Sequence, residues 1–213
     1  KCVYSNEKVL ILPRQIYCQV YILKTGLSSE SILVKVLERA KKLANEGIDL
    51  YTTPALKFFL YNKIGQSDLK SNGNFTPGLI AANFTRLDDT DVLVSAKYWT
   101  DNSDKVLSDL SGRLQRRNLL AIELQNDPFP EIRVRELKTM AINVLKISPE
   151  MIDYYVFTNS IYNLAYATDA PEVKILLKSG KTADISSVSD MFDHGFLSER
   201  ITKYFLCYPK ECR

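Results

Sequence analysis

From Ile32 to Ala44 the apolar residues Ile32, Leu33, Val36, Leu37, Ala40, Leu43 and Ala44 fall three and four positions apart, the spacing of one buried helix face. A helix over 29–45 follows, capped by Ser28 or Ser29 and stopped by Gly47, whose backbone tolerates the left-handed turn after a last helical residue. Ahead of it, residues 16–23 (IYCQVYIL) are rich in β-branched and aromatic side chains and read as a strand. Residues 56–61 (LKFFLY) and 91–99 (DVLVSAKYW) read as further strands, and 78–85 is ambiguous between a strand and a helical turn. The polar run GQSDLKSNGNFTP at 65–77 is the longest expected loop.

A second amphipathic face, Val106, Leu107, Leu110 and Leu114, predicts a helix capped by Asp101 or Ser103. A third, Val134, Leu137, Ala141, Val144 and Leu145, follows Pro128 and Pro130, the latter suited to a first helical position. Short apolar runs at 119–124, 154–157 and 173–177 read as strands, 161–167 as a short helix, and 196–207 as a closing helix with Leu197, Ile201, Tyr204 and Phe205 inward. Continuous apolar strands alternating with helices are the mark of strands buried on both faces. The expected fold is therefore α/β, a Rossmann-like three-layer sandwich with a mostly parallel central sheet and helices on both faces.

Composition narrows this picture only a little. The chain has 213 residues and a formal net charge of +3. No apolar run approaches the roughly 20 residues of a membrane-spanning helix, and the mild basic excess falls short of a nucleic-acid footprint. The densest basic group, Arg113, Arg116 and Arg117, reads as a solvated helix face, with an anionic partner as the sharper alternative. The four cysteines lie only at the two ends, as Cys2, Cys18, Cys207 and Cys212. Their spacing does not suit zinc, so end-to-end disulfides or buried thiols are the readings. Two sequons, at Asn74 and Asn83, agree with an extracellular location.

Standard catalytic patterns are missing. No G-x-G-x-x-G, phosphate-loop or G-x-S-x-G motif occurs. The single histidine, His194, lies in a late polar stretch where a surface role is the ordinary one. Asp88, Asp89 and Asp91, and then Asp101 and Asp104, could hold calcium or serve as paired acids; turn and helix-cap chemistry is the simpler reading. Trp99 and the scattered tyrosines read as core or rim.

The stretch CQVYILKTGLSSES (18–31), with IYNLAYATDAPEVKILL (161–177) and FLSERITKYFLCYPKEC (196–212), resembles a von Willebrand factor type A domain. The resemblance implies a single domain over 16–213 behind an N-terminal extension at 1–15. It also implies a Cys18–Cys207 bridge, with Cys2–Cys212 next. The family's metal site uses Asp-x-Ser-x-Ser plus a later Asp and a Thr. Those positions fall here on Lys24, Gly26, Ser28 and Asp127, and the Thr has no counterpart. Lys24 places a fixed positive charge where a cation belongs. The resemblance thus implies a non-enzymatic extracellular adhesion or matrix module that binds protein partners without metal or cofactor. A secreted hydrolase-type enzyme using acidic residues, or an intracellular Rossmann-like domain, are the alternatives.

Overall fold

The computed structural model of the chain describes residues 23–70, 73–163, 174–176, 179–184 and 201–213. The expected strand at 16–23, apart from Leu23, lies outside them, as do Cys2, Cys18 and His194. The chain divides into two compact units.

One unit comprises Ser28–Leu120 and Ser148–Tyr154 and is helical. Helix α1 (Lys24–Asn45) buries Ile32, Val36, Ala40, Leu43 and Ala44, the face expected from periodicity. The amide of Ile48 donates to the Leu43 carbonyl at 3.0 Å and Gly47 sits at φ +85°, which closes the helix with a left-handed residue. Helices α2 (Pro54–Tyr61), α3 (Gln66–Leu69, a single turn), α4 (Pro77–Phe84), α5 (Asp89–Tyr98) and α6 (Lys105–Gln115) follow. Two of the expected strands are thus helices. At 56–61, Pro54 occupies the first turn behind an extended Thr53, a start that presets helical φ and leaves the apolar run to wind. At 91–99, the Asp88 carboxylate accepts from the amides of Thr90 and Asp91, while Asp91 accepts from the Asp88 amide, a reciprocal cap that nucleates α5. The ambiguous 78–85 resolves as α4, with the Thr76 hydroxyl accepting from the Leu79 amide.

Trp99 opens a 3-10 turn (Trp99–Asp101) after α5; it is 1% exposed, and its indole N–H donates to the Tyr51 carbonyl at 2.8 Å. Asp104, rather than Asp101 or Ser103, caps α6 by accepting from the Leu107 amide at 2.8 Å. The same carboxylate receives both Nε (3.0 Å) and Nη2 (2.5 Å) of Arg39 from α1, a two-pronged pair. The Arg39 guanidinium lies 5.7 Å from the ring centre of Tyr154, at the end of the 3-10 segment Pro149–Tyr154.

The loop at 65–76 is organised by one carboxylate. Asp68 is buried and accepts from the amides of Gly65 (2.8 Å) and Phe75 (3.2 Å). A Cβ at Gly73 would stand 2.1 Å from Asp68 Oδ1, so only glycine lets the chain wrap this closely. The Gly65 amide, acting against burial and joined by Phe75, holds the Asp68 carboxyl below its ordinary 3.8. A lowered folded pKa means that the contribution is complete above pH 3.8 and is lost as pH falls through the folded value. Protection of the amides of 65–70 and 73–76, relative to their intrinsic exchange, is therefore expected to hold at neutral pH and to fall only in acid, and Gly73→Ala is expected to lower it at every pH.

The other unit comprises Lys1–Leu27, Ala121–Ile147 and Tyr155–Arg213. Its sheet has the order β1-β5-β2, from β1 (Ala121–Gln125), β2 (Phe157–Asn163) and β5 (Ile201–Tyr208). Both pairings are antiparallel: Ala121 to Gln125 lie opposite Tyr208 to Tyr204, and Phe157 to Asn163 opposite Cys207 to Ile201. A hairpin-like pair, β3 (Lys174–Leu176) and β4 (Thr182–Asp184), is also antiparallel. Helix α7 (Glu131–Leu145) packs on β5 and on the terminal 3-10 turn Lys210–Cys212.

The Rossmann-like expectation is therefore corrected. The described residues are mostly helical, and the described strands pair antiparallel. The closing helix expected at 196–207 is, from Ile201, the central strand β5, because ITKYFLCY combines β-branched and aromatic residues with burial on both faces. The strand expected at 154–157 begins only at Phe157 and runs through part of the short helix expected at 161–167.

Candidate functional site

The β1–α7 segment carries two arginines, Arg133 and Arg135, on one short element. Pro130 stands at the N-cap of α7 in an extended conformation (φ −59°, ψ 135°), and Glu131 meets the positive end of the helix dipole. Leu137 and Ala141 are fully buried and fix the helix by one face. The opposite face presents Ile132, Arg133, Arg135, Glu136, Thr139 and Met140 to a cavity of about 540 Å³. That volume lies within the roughly 300–1,000 Å³ of small-molecule sites.

Glu123 on β1 positions one arginine. Its Oε1 accepts from Arg133 Nη2 at 3.1 Å and from the Tyr208 hydroxyl at 2.8 Å. Burial and then the bond to Glu123 push the Tyr208 phenol upward, so it stays protonated and donating. The second arginine, Arg135, is tied to Glu131 at 2.7 Å across one helical turn. Each guanidinium carries five N–H donors, so both retain donors for oxygen atoms in the cavity. The Thr139 hydroxyl donates back to the Arg135 carbonyl at 3.0 Å, and the Glu136 carboxylate faces the same space. Two guanidinium forks, each paired on one side with a carboxylate (Glu123, Glu131), keep further N–H donors that match the oxygens of a small anion such as phosphate. Among the described residues, no group of three or more His, Cys, Asp and Glu is placed to hold a metal ion.

The positions singled out in the sequence lie elsewhere. Lys24 and Gly26 are exposed in the first turn of α1, inside a helix rather than at a strand end. Ser28 is buried, and its hydroxyl donates to the Leu120 carbonyl at 2.9 Å. Asp127 is exposed, and its carbonyl accepts from Gln125. Asn74 is exposed in the Asp68 loop, whereas the Asn83 side chain donates to the Leu79 carbonyl within α4. Arg113 is buried and paired with Asp109 at 2.8 Å, while Arg116 folds back over Gly112, where a Cβ would meet its Nη2 at 2.6 Å. Cys207 and Cys212 are buried, and Cys2 and Cys18, their expected partners, lie outside the described residues. Among the described residues, no helix is long and apolar enough to cross a membrane.

Sequence reasoning missed Arg133 and Arg135. The only available signal was R-V-R just behind a proline-rich turn, on the polar side of an amphipathic helix, where charge is usually solvated.

No protein-family model matches the chain. An uncharacterized protein of Bacillus subtilis (strain 168), YwfO, is 26% identical over 215 residues, covering 98% of this chain and 45% of its own length. The solved structure of a phosphohydrolase from Bacteroides thetaiotaomicron VPI-5482 is 37% identical, with a TM-score of 0.85 over 97% of this chain and 50% of that chain. The chain thus spans about half the length of each. These likenesses overturn the resemblance to a von Willebrand factor type A domain. The non-enzymatic adhesion or matrix module gives way as well, because the matching structure is that of an enzyme, and the hydrolase alternative is the better supported of the readings.

Proposed function

We propose that this chain serves the hydrolysis of phosphate esters, and that the cavity beside α7 holds the phosphate group between Arg133 and Arg135. The observation that carries the reading is the likeness to a phosphohydrolase, 37% identical with a TM-score of 0.85 over 97% of the chain. The lining adds the N–H donors of the Arg133 and Arg135 guanidinium groups, which match phosphate oxygens in pairs. In this role Glu123 and Tyr208 are positioning residues: they hold Arg133 in place without touching the ester.

Titration of the isotope-labelled protein with inorganic phosphate and with a phosphate monoester, followed by amide NMR, tests the assignment. The amides and guanidinium N–H groups of 131–140 are expected to shift saturably. Arg133→Ala and Arg135→Ala are each expected to weaken binding by about tenfold, the effect of roughly 1.4 kcal/mol from one charge-assisted contact. Shifts centred on another part of the chain would remove the cavity from the proposal.

A further inference from the structure

On the sheet of the same unit, a second and smaller cavity of about 270 Å³ is lined by Pro128, Phe129, Thr158, Asn159, Ser160 and Tyr204. Residues directly opposite in an antiparallel pair share a face, so Ser160 on β2 and Tyr204 on β5 point the same way, and Thr158 joins them two residues along. The segment after β1 brings Pro128 and Phe129 to the groove.

Three properties define what fits. First, none of the six described lining residues is charged, so among the described residues the groove offers no cation to a phosphate or carboxylate and no anion to an amine. Second, it combines two aromatic rings, Phe129 and Tyr204, with the hydroxyls of Thr158, Ser160 and Tyr204. Asn159 lies between Thr158 and Ser160 on the strand, opposite Phe205, and its side-chain oxygen accepts from the Ser160 amide at 2.8 Å. Third, its volume falls just below the roughly 300 Å³ at which drug-sized pockets begin, enough for one ring and its substituents. A ligand with a ring of C–H groups to lie on an aromatic face, and hydroxyls at its rim to meet neutral donors and acceptors, is a single sugar ring.

We propose that this groove binds a neutral monosaccharide-sized polyol through stacking on Tyr204 and Phe129 and hydrogen bonds to Thr158 and Ser160. The site is separate from the phosphate cavity, and the proposal stands or falls without the phosphohydrolase reading.

The test is amide NMR of the whole protein titrated with glucose, galactose, mannose and myo-inositol, with inorganic phosphate and a proline-rich peptide as comparison probes. At least one neutral polyol is expected to shift the amides of 158–160 and 204 saturably in the millimolar range. Ser160→Val, which keeps a strand-forming residue at an exposed position, and Tyr204→Ala are each expected to weaken that binding by roughly tenfold. The Ser160 variant carries the test should Tyr204→Ala fail to fold. The proposal is overturned by the absence of saturable shifts with every polyol, by groove shifts with phosphate or the peptide in place of a polyol, or by sugar binding that Ser160→Val leaves unchanged.

Discussion

Replacing Asp104 by alanine is expected to lower the stability of the protein by about 3–5 kcal/mol, because it leaves the Arg39 guanidinium buried without its carboxylate. Both side chains are well enclosed, at 6% exposure for Arg39 and 18% for Asp104, so solvent screening discounts little of this. The loss is compounded by the cap, since the same carboxylate accepts from the Leu107 amide at the start of α6. Burial works against the Asp104 charge, but the bonds from Arg39 and Leu107 outweigh it and hold the carboxyl below its ordinary value. Its contribution is therefore complete above the unfolded pKa and disappears as pH falls through the folded one. Urea unfolding at neutral pH should show the full loss, and the gap between wild type and Asp104→Ala should close in strong acid. A variant that unfolds with the wild-type midpoint at neutral pH would show that the pair contributes nothing. The double variant Arg39→Met with Asp104→Leu is expected to recover much of the stability, because a buried pair replaced by apolar side chains of similar size no longer leaves a charge alone.

Trp99→Ala is expected to cost a further large amount on its own, about 3–5 kcal/mol, from the cavity left by a side chain that is 1% exposed. The indole N–H also satisfies the Tyr51 carbonyl, and Tyr51 stacks on Tyr98 with ring centres 3.9 Å apart. Trp99→Phe separates the two contributions: it keeps most of the volume and removes the hydrogen bond, so a smaller loss is expected. Far-UV circular dichroism is the readout, because Trp99 is the single tryptophan of the chain and its removal abolishes the fluorescence signal. Equal losses for Trp99→Ala and Trp99→Phe would mean that the hydrogen bond, not packing, holds this turn.

Periodicity located what local pattern can locate. Ile32, Val36, Ala40 and Leu43 on α1, and Val106, Leu107 and Leu110 on α6, are buried where the 3.6-residue repeat places them. Short apolar runs were the difficulty. LKFFLY and DVLVSAKYW have β-rich composition, yet a proline in the first turn of one and a reciprocal aspartate cap on the other make both helical. ITKYFLCY met the opposite fate: two flanking strands cover its hydrogen-bonding edges, and that pairing is non-local, with Tyr204 opposite Gln125 and Ser160. The resemblance to a von Willebrand type A domain rested on the same short runs and inherited their ambiguity. The sites were hidden for a related reason. Phe129, Ser160 and Tyr204 meet only through the sheet, and Glu123 becomes meaningful only once Tyr208 and Arg133 are seen on it.

The central claim, that the chain serves phosphate-ester hydrolysis through the α7 cavity, is tested most directly by phosphate release. The purified protein is incubated with a panel of phosphomonoesters, phosphodiesters and polyphosphates, and inorganic phosphate is measured over time. Release is expected from at least one class, with the Arg133→Ala, Arg135→Ala double variant retaining its circular dichroism spectrum and losing roughly a hundredfold in kcat/KM, the product of two contacts of about 1.4 kcal/mol each. Absence of release from every class by a correctly folded protein, or release that the double variant leaves untouched, would contradict the account.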